Sequence, residues 1–217
     1  MEKWIIKHWK VRTMKDKNTF GYKILRFIIK PFFVLFYRVR IVSKEVIPKD
    51  APVIFCGNHL NIKDQLPVIA STNRMIHWMS KKEYFDGKFS WFFKLVGCIS
   101  VDRENHGGDS LDKALDYLRV GSAIGIFPEG TRNKTDAELL PFKIGTVYLA
   151  QKSGATIVPF AVTGDFKFRS KNTMVRFGAP FKINKDDNLD EMNVILREKV
   201  LELQRTNYKE TGYKICK

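Results

Sequence analysis

From residue 51 onward, short runs of consecutive apolar residues alternate with longer stretches in which apolar positions recur every three or four. "PVIFC" (52–56), "IHWMS" (76–80), "CISV" (98–101), "AIGIF" (123–127), "TIVPFAV" (156–162) and "MVRF" (174–177) have the length and composition of strands. Between them, residues 64–72, 88–96, 109–120 and 143–154 carry helical spacing. Asp109 or Ser110 stands as a cap for the third of these with Gly121 behind it, and Gly154 closes the fourth. Residues 188–204 form one further amphipathic helix. Strands alternating with helices predict an α/β domain, with a mainly parallel or mixed sheet flanked by helices.

Ahead of residue 51 the pattern differs. Phe20, Ile24, Phe27, Ile28 and Leu35 recur at three- and four-residue steps, while Lys23, Arg26 and Lys30 fall on another face. Pro31 is expected to kink or divide this helix. The first ten residues repeat the arrangement, with Lys3, Lys7 and Lys10 as a stripe and Trp4, Ile5 and Trp9 suited to lipid headgroups. Residues 1–44 therefore read as a basic amphipathic helical segment that docks on an anionic phospholipid membrane, with Trp4, Trp9, Lys23, Arg26, Phe27 and Lys30 as its contacts. Residues 45–217 read as the α/β domain. The plainer alternative is that Phe20 to Leu35 pack on the core and the lysines are merely solvated.

Charge sharpens this division. The chain of 217 residues has a formal net charge of +15; residues 1–44 hold 12 Lys/Arg against Glu2 and Asp16, and the rest hold 26 against 21. Net charge alone would suggest nucleic acid as a partner. The basic residues instead concentrate on amphipathic helices, and no nucleic-acid-binding motif is present, so none is expected. The 3 cysteines, Cys56, Cys98 and Cys216, form no C-x-x-C pair, which excludes a disulfide framework or zinc site and fits reduced thiols. The most apolar N-terminal window is broken by Lys23, Arg26, Lys30 and Pro31, too soon for a spanning helix or a signal peptide.

The candidate chemistry lies where strands end. "GNHLNIKD" (57–64) follows an apolar run, and successive 100° steps put His59 and Asp64 about 140° apart on an unbroken helix. The two meet only across a bend, with His59 in the loop and Asp64 at the start of the next helix. The carboxylate then orients one ring nitrogen and leaves the other free to take a proton from a hydroxyl. Otherwise Asp64 simply favours a helix N-terminus and His59 is an ordinary loop residue. Cys56 sits inside the apolar run, where a thiol is inert packing. In "FPEGTRN" (127–133), Gly130 permits a tight turn, Thr131 offers a hydroxyl and Arg132 a planar fork for phosphate, unless Arg132 merely pairs with Glu129. "GCISVDRE" (97–104) delivers Arg103 after another strand. Two arginines, a histidine–carboxylate pair and a basic arm suggest an anionic, phosphate-bearing substrate presented at a membrane.

With "NHLNIKD", "GCISVDR", "FPEGTR" followed by "FKIG", and "IVPFAV", residues 50–180 resemble the four ordered sequence blocks of the glycerolipid acyltransferases, and in particular the bacterial 1-acyl-glycerol-3-phosphate (lysophosphatidate) acyltransferases. The resemblance implies an enzyme that moves a fatty acyl group from acyl-CoA or acyl carrier protein to the sn-2 hydroxyl of lysophosphatidate, giving phosphatidate for phospholipid biosynthesis. It implies His59 as general base, Asp64 as its orienting carboxylate, and Arg103, Glu129, Gly130, Thr131 and Arg132 as the phosphate-binding region. Location on the cytoplasmic face of the cell membrane, as a peripheral protein, follows from the same resemblance. Glycerol-3-phosphate or another lysolipid as acceptor, or a non-catalytic lipid-binding relative, remain alternatives. No cofactor and no metal are expected beyond the acyl thioester co-substrate. Asn61 stands where many members have Ser, which bears on substrate preference, and Pro159 is expected to shape a strand end or the acyl-chain entrance.

Overall fold

The structure, a computed structural model, describes residues 19–102 and 108–213. Trp4, Trp9 and Arg103, and with them the first of the two expected N-terminal helices, lie outside the described residues.

Seven strands form one sheet in the spatial order β1-β7-β6-β2-β5-β3-β4. They are β1 (Arg40–Val42), β2 (Val53–Gly57), β3 (Ile76–Lys81), β4 (Ile99–Val101), β5 (Ala123–Ile126), β6 (Thr156–Thr163) and β7 (Met174–Phe177). All neighbouring pairs are parallel except β6 with β7, which runs antiparallel from Phe160 opposite Phe177 to Thr163 opposite Met174. The expected α/β architecture with a mixed sheet is what the chain forms. β2 and β6 are buried at every position, which is why they read as continuous apolar runs rather than alternating ones.

The helices divide between the two faces. Val53 and Phe55 of β2 face a core shared with Trp78, Phe160 and Val68, under α1 (Thr19–Phe36) and α2 (Gln65–Ser71). Ile54 and Cys56 point the other way, toward α5 (Gly108–Arg119), α6 (Gly145–Ser153) and α7 (Leu189–Thr211), which supply Leu118, Leu149 and Leu196. This is the two-residue period of a strand whose faces are both covered. The short α3 (Glu83–Asp86) and α4 (Ser90–Leu95) bridge β3 and β4. Gly154 takes the left-handed conformation at the end of α6, as expected, and α7 runs on to Thr211 rather than stopping near 204.

Three expectations are corrected. α1 continues through Pro31 as one helix, so of the kink or division expected there the division does not occur. The boundary at residue 44 does not coincide with a break in packing: β1 pairs with β7, and α1 is fastened to the domain through buried Tyr22 and through Arg26, whose Nη1 donates to the Thr72 carbonyl at 3.0 Å. Three residues are too few to show a strand's periodicity, so β1 was invisible in the sequence. Pro159 lies inside β6 rather than at its end. It falls between the isolated bridge Ile157–Phe181 and the start of the β7 ladder at Phe160, and its carbonyl accepts from Gly178 N–H. That break in the ladder is where a strand tolerates a residue with no N–H.

Candidate active site

The connection leaving β2 runs through α2 on one face of the sheet, and that leaving its neighbour β5 runs through α6 on the other. A crevice beyond the carboxyl ends of the strands at such a point is where open α/β sheets bind ligands. Cys56 of β2 stands opposite Ile126 of β5, so the loops that follow, carrying His59 and Glu129, leave the sheet side by side.

The turn after β2 is built around Asp64, which is only 1% exposed. Its Oδ2 accepts from the backbone N–H groups of Leu60 and Asn61, each at 2.6 Å, and lies 3.1 Å from Nδ1 of His59. The carboxylate therefore folds back over the turn and makes no capping bond to α2, although Asp64 is its N-cap residue. Burial pushes this carboxyl upward, and the hydrogen bonds from His59, Asn61 and Leu60 pull it back. An acceptor at Nδ1 makes that nitrogen the one that carries hydrogen, so Nε2 presents a lone pair. Asn61, the departure from the usual Ser, accepts from Lys63 N–H at 3.1 Å. Ser makes the same kind of turn contact, so this substitution preserves the bend.

His59 is held from the neighbouring loop at both ends of its peptide unit. Its N–H donates to Oε1 of Glu129 at 2.6 Å, and its carbonyl accepts from Asn133 N–H at 2.8 Å. Its ring stacks on Phe127, with centroids 4.1 Å apart and planes 9° apart, and Phe127 in turn stacks on Trp78 at 5.0 Å. A flat aromatic surface beneath the imidazole removes its freedom to swing.

Glu129 corrects an expectation. Its second oxygen accepts from Leu140 N–H at 3.0 Å, so both oxygens are turned inward onto backbone donors. Burial raises the Glu129 carboxyl and these N–H groups lower it. The Glu129–Arg132 ion pair is not formed, and among the described residues Arg132 has no carboxylate partner. Gly130 makes the turn: its N–H donates to the Phe127 carbonyl at 3.0 Å, its φ is +69°, and a Cβ there would meet Lys143 Cε at 2.9 Å. Thr131 is exposed and Arg132 half-buried beside it. β4, which leads to Arg103, is three strands from β2, a lateral offset of about 14 Å at ordinary strand spacing.

Sequence reasoning missed two positioning residues. Asn58, fully buried, donates from Nδ2 to the Val162 carbonyl and accepts at Oδ1 from Val162 N–H, both at 2.8 Å, tying the β2 loop to β6. Asn133 accepts at Oδ1 from Thr135 N–H and donates from Nδ2 to the Ala137 carbonyl, which shapes the loop that grips His59. For Asn58 the available signal was a polar residue immediately after a wholly apolar strand. Cys56 is buried, its thiol pushed up by burial, and it packs as expected. Among the described residues no group of three or more His, Cys, Asp and Glu could hold a metal ion. A small pocket adjoins Phe127 and is lined by Met79, Val101, Leu111, Ile126, Gly130 and Lys143.

A family model described as acyltransferase matches residues 38–163. The chain is 34% identical over 145 residues to the 1-acyl-sn-glycerol-3-phosphate acyltransferase of Bacillus subtilis, covering 66% of this chain and 71% of that one. It is 30% identical over 165 residues to the protein of the same name from Borreliella burgdorferi, covering 75% and 66%. It spans only 38% of the chloroplastic LPAT1 enzyme of Arabidopsis thaliana, at 29% identity over 136 residues and 61% of this chain. The crystal structure of the 1-acyl-sn-glycerophosphate acyltransferase of Thermotoga maritima superposes with a TM-score of 0.70 over 98% of this chain and 89% of that one, at 20% identity, a likeness of fold.

Proposed function

The chain belongs to the acyltransferase family, and on that footing we propose that it moves a fatty acyl group from an acyl thioester to the free sn-2 hydroxyl of 1-acyl-glycerol-3-phosphate, giving phosphatidate for phospholipid synthesis. The observation that carries this reading is the engagement of His59 Nδ1 by buried Asp64, which leaves Nε2 as a base beside a loop with an arginine that has no carboxylate partner among the described residues.

His59 Nε2 takes the hydroxyl proton as the acceptor oxygen attacks the thioester carbonyl. Asp64 stabilises the imidazolium. The carbon–sulfur bond then breaks, and the thiolate leaves with the proton returned by His59. No acyl-enzyme forms, and the pathway uses no metal. Gly130, Thr131 and Arg132 hold the acceptor's phosphate, Arg132 by its fork and Gly130 by permitting close backbone approach. Arg103 serves the same phosphate. Glu129 acts at one remove, by fixing His59 and the phosphate loop relative to each other.

The donor is acyl-CoA or acyl carrier protein. The protein works as a peripheral enzyme on the cytoplasmic face of an anionic membrane, held by Trp4, Trp9 and the exposed side of α1. Support for the last point comes from α1 itself: Phe27 is 82% exposed and Leu35 70%, with Lys23 and Lys30 at the flank, so these residues are not the core packing of the plainer alternative. Among the described residues no helix is long and apolar enough to cross a membrane. Free Cys56 and Cys98 suit a reducing compartment.

The test is acyl transfer by purified wild type and His59→Ala, with lysophosphatidate against glycerol-3-phosphate as acceptor, acyl-CoA against acyl carrier protein as donor, and a chelator in parallel. Turnover of lysophosphatidate that survives the chelator and vanishes in the variant is the expected result. Wild-type rates in His59→Ala would overturn the base, and turnover of glycerol-3-phosphate alone would reassign the acceptor.

A further inference from the structure

We propose that α4 and the residue before it, Phe89 to Leu95, are a second lipid-contacting element that sets the tilt of the protein on the membrane. This rests on the reading that α1 lies on an anionic bilayer.

α4 is a single short helix, SWFFKL, with aromatic side chains on opposite sides. Phe92 and Phe93 turn inward: Phe92 packs against the core, and Phe93 stacks on Tyr84 at 5.1 Å and lies 5.8 Å from Phe85. Phe89, Trp91 and Leu95 turn outward, with Phe89 69% and Trp91 63% exposed. Trp91 and Leu95 are four apart and share one helical face. Isolated exposed apolar residues are ordinary, but two large aromatics and a leucine on one short helix and the residue before it are a patch.

The patch does not stand alone. A Cβ on Gly21 of α1 would lie 2.6 Å from Leu95 Cδ1, so the start of α1 presses directly against α4. Three and seven residues on from Gly21 stand Ile24 and Ile28, both exposed. Leu95 thereby joins the Phe89–Trp91 patch to the outward stripe of α1 as one apolar surface. Lys23 and Lys30 flank it on α1, whose 18 residues include no acidic side chain, and Lys88 precedes Phe89.

The occupant this surface fits is an anionic bilayer. Tryptophan and phenylalanine rimmed by lysine suit the headgroup boundary, where one end of a side chain is apolar and the other wet. A second copy of the chain fits poorly, because a two-fold contact would set each lysine rim against its own image on a protein of net charge +15. The functional consequence is geometric. A lone helix on a membrane is free to roll about its axis, whereas a second contact beside its N-terminal end fixes the roll. At the other end of α1, Tyr37 meets Lys63 of the His59–Asp64 turn, with Nζ 5.1 Å from the ring centroid, so the angle of docking is passed to the catalytic loop.

The experiment uses the full chain with Trp4→Phe and Trp9→Phe, which leaves buried Trp78 and exposed Trp91 as the tryptophans. Vesicles of phosphatidylglycerol and phosphatidylcholine, plain or brominated in the acyl chains, are added. Trp91 emission should shift to the blue on binding and be largely lost to brominated lipid. Phe89→Ser with Trp91→Ser in the otherwise native chain should weaken vesicle affinity roughly tenfold, with far-ultraviolet circular dichroism unchanged. Vesicle binding with unquenched Trp91 would overturn this proposal and leave docking by α1 intact. Failure of the native chain to bind vesicles at all would overturn both. Shielding of Trp91 without lipid, together with dimers in sedimentation, would assign the patch to a second copy instead.

Discussion

The backbone N–H of His59 donates to Oε1 of Glu129 at 2.6 Å, across a separation of 70 residues in the chain. The other oxygen of Glu129 holds Leu140, so one carboxylate fixes the distance between the candidate base and the loop expected to bind phosphate. Glu129→Gln replaces one acceptor by an NH2 group that must face a backbone N–H. Its effect should fall chiefly on kcat, by about 10²-fold, the cost of a misplaced reacting group. Arg132→Ala should instead raise KM for lysophosphatidate with a smaller change in kcat. Steady-state kinetics that gave both variants the same split would refute the separation of positioning from substrate contact.

Asp64→Asn retains the size of the side chain but removes the charge that stabilises an imidazolium and offers an amide donor where His59 needs an acceptor. A fall in kcat of about 10² to 10⁴ is expected. Since Oδ2 also caps Leu60 and Asn61 N–H, Asp64→Ala should lose stability as well, visible as a lower unfolding midpoint than in Asp64→Asn.

Asn58→Ala would strand both the N–H and the carbonyl of Val162 in the core. Leaving two such groups unpaired costs about 3 kcal/mol, to be read from urea unfolding. An unchanged midpoint would mean that water replaces the side chain at this site.

His77 reports on acid stability. It is buried, donates from Nδ1 to the Gly97 carbonyl at 2.7 Å and stacks on Tyr117, and burial lowers its pKa to about 4. The unfolded chain, with an ordinary value near 6.5, therefore binds more protons between these limits, so stability falls as pH drops through that window. Between pH 7 and 5 the loss should be about 2 kcal/mol. Unfolding at the two pH values, in native chain and His77→Gln, measures it; an equal loss in both would exonerate this histidine.

Much of the fold was legible because its strands are of the doubly covered kind. "PVIFC" and "TIVPFAV" are apolar without interruption and bounded by polar turns, and the observed strands begin and end within one residue of those readings. The bend between His59 and Asp64 was legible too, since helical geometry forbids their meeting otherwise. Glu129 was misread for a physical reason: a carboxylate in a polar motif looks the same in sequence whether it faces a ligand or two backbone N–H groups. Asn58 carried no sign of its partner, because Val162 lies 104 residues away.

The residues by themselves determined what is local: the periods that make strands and helices, the turn chemistry of Asn61 and Gly130, the basic aromatic character of α1, and the ordered blocks that mark the acyltransferase family. Tertiary structure decided what depends on neighbours. Strand order made β2 and β5 adjacent, which put Glu129 and Asn133 on either side of the His59 peptide. Packing of Tyr22 and Arg26 against the domain decided which side of α1 is left outward, and the contact of Gly21 with Leu95 joined that side to α4. Hydrophobic periodicity says which residues seek burial, but every apolar surface is an equally good partner for every other, so only the assembled sheet says which ones meet.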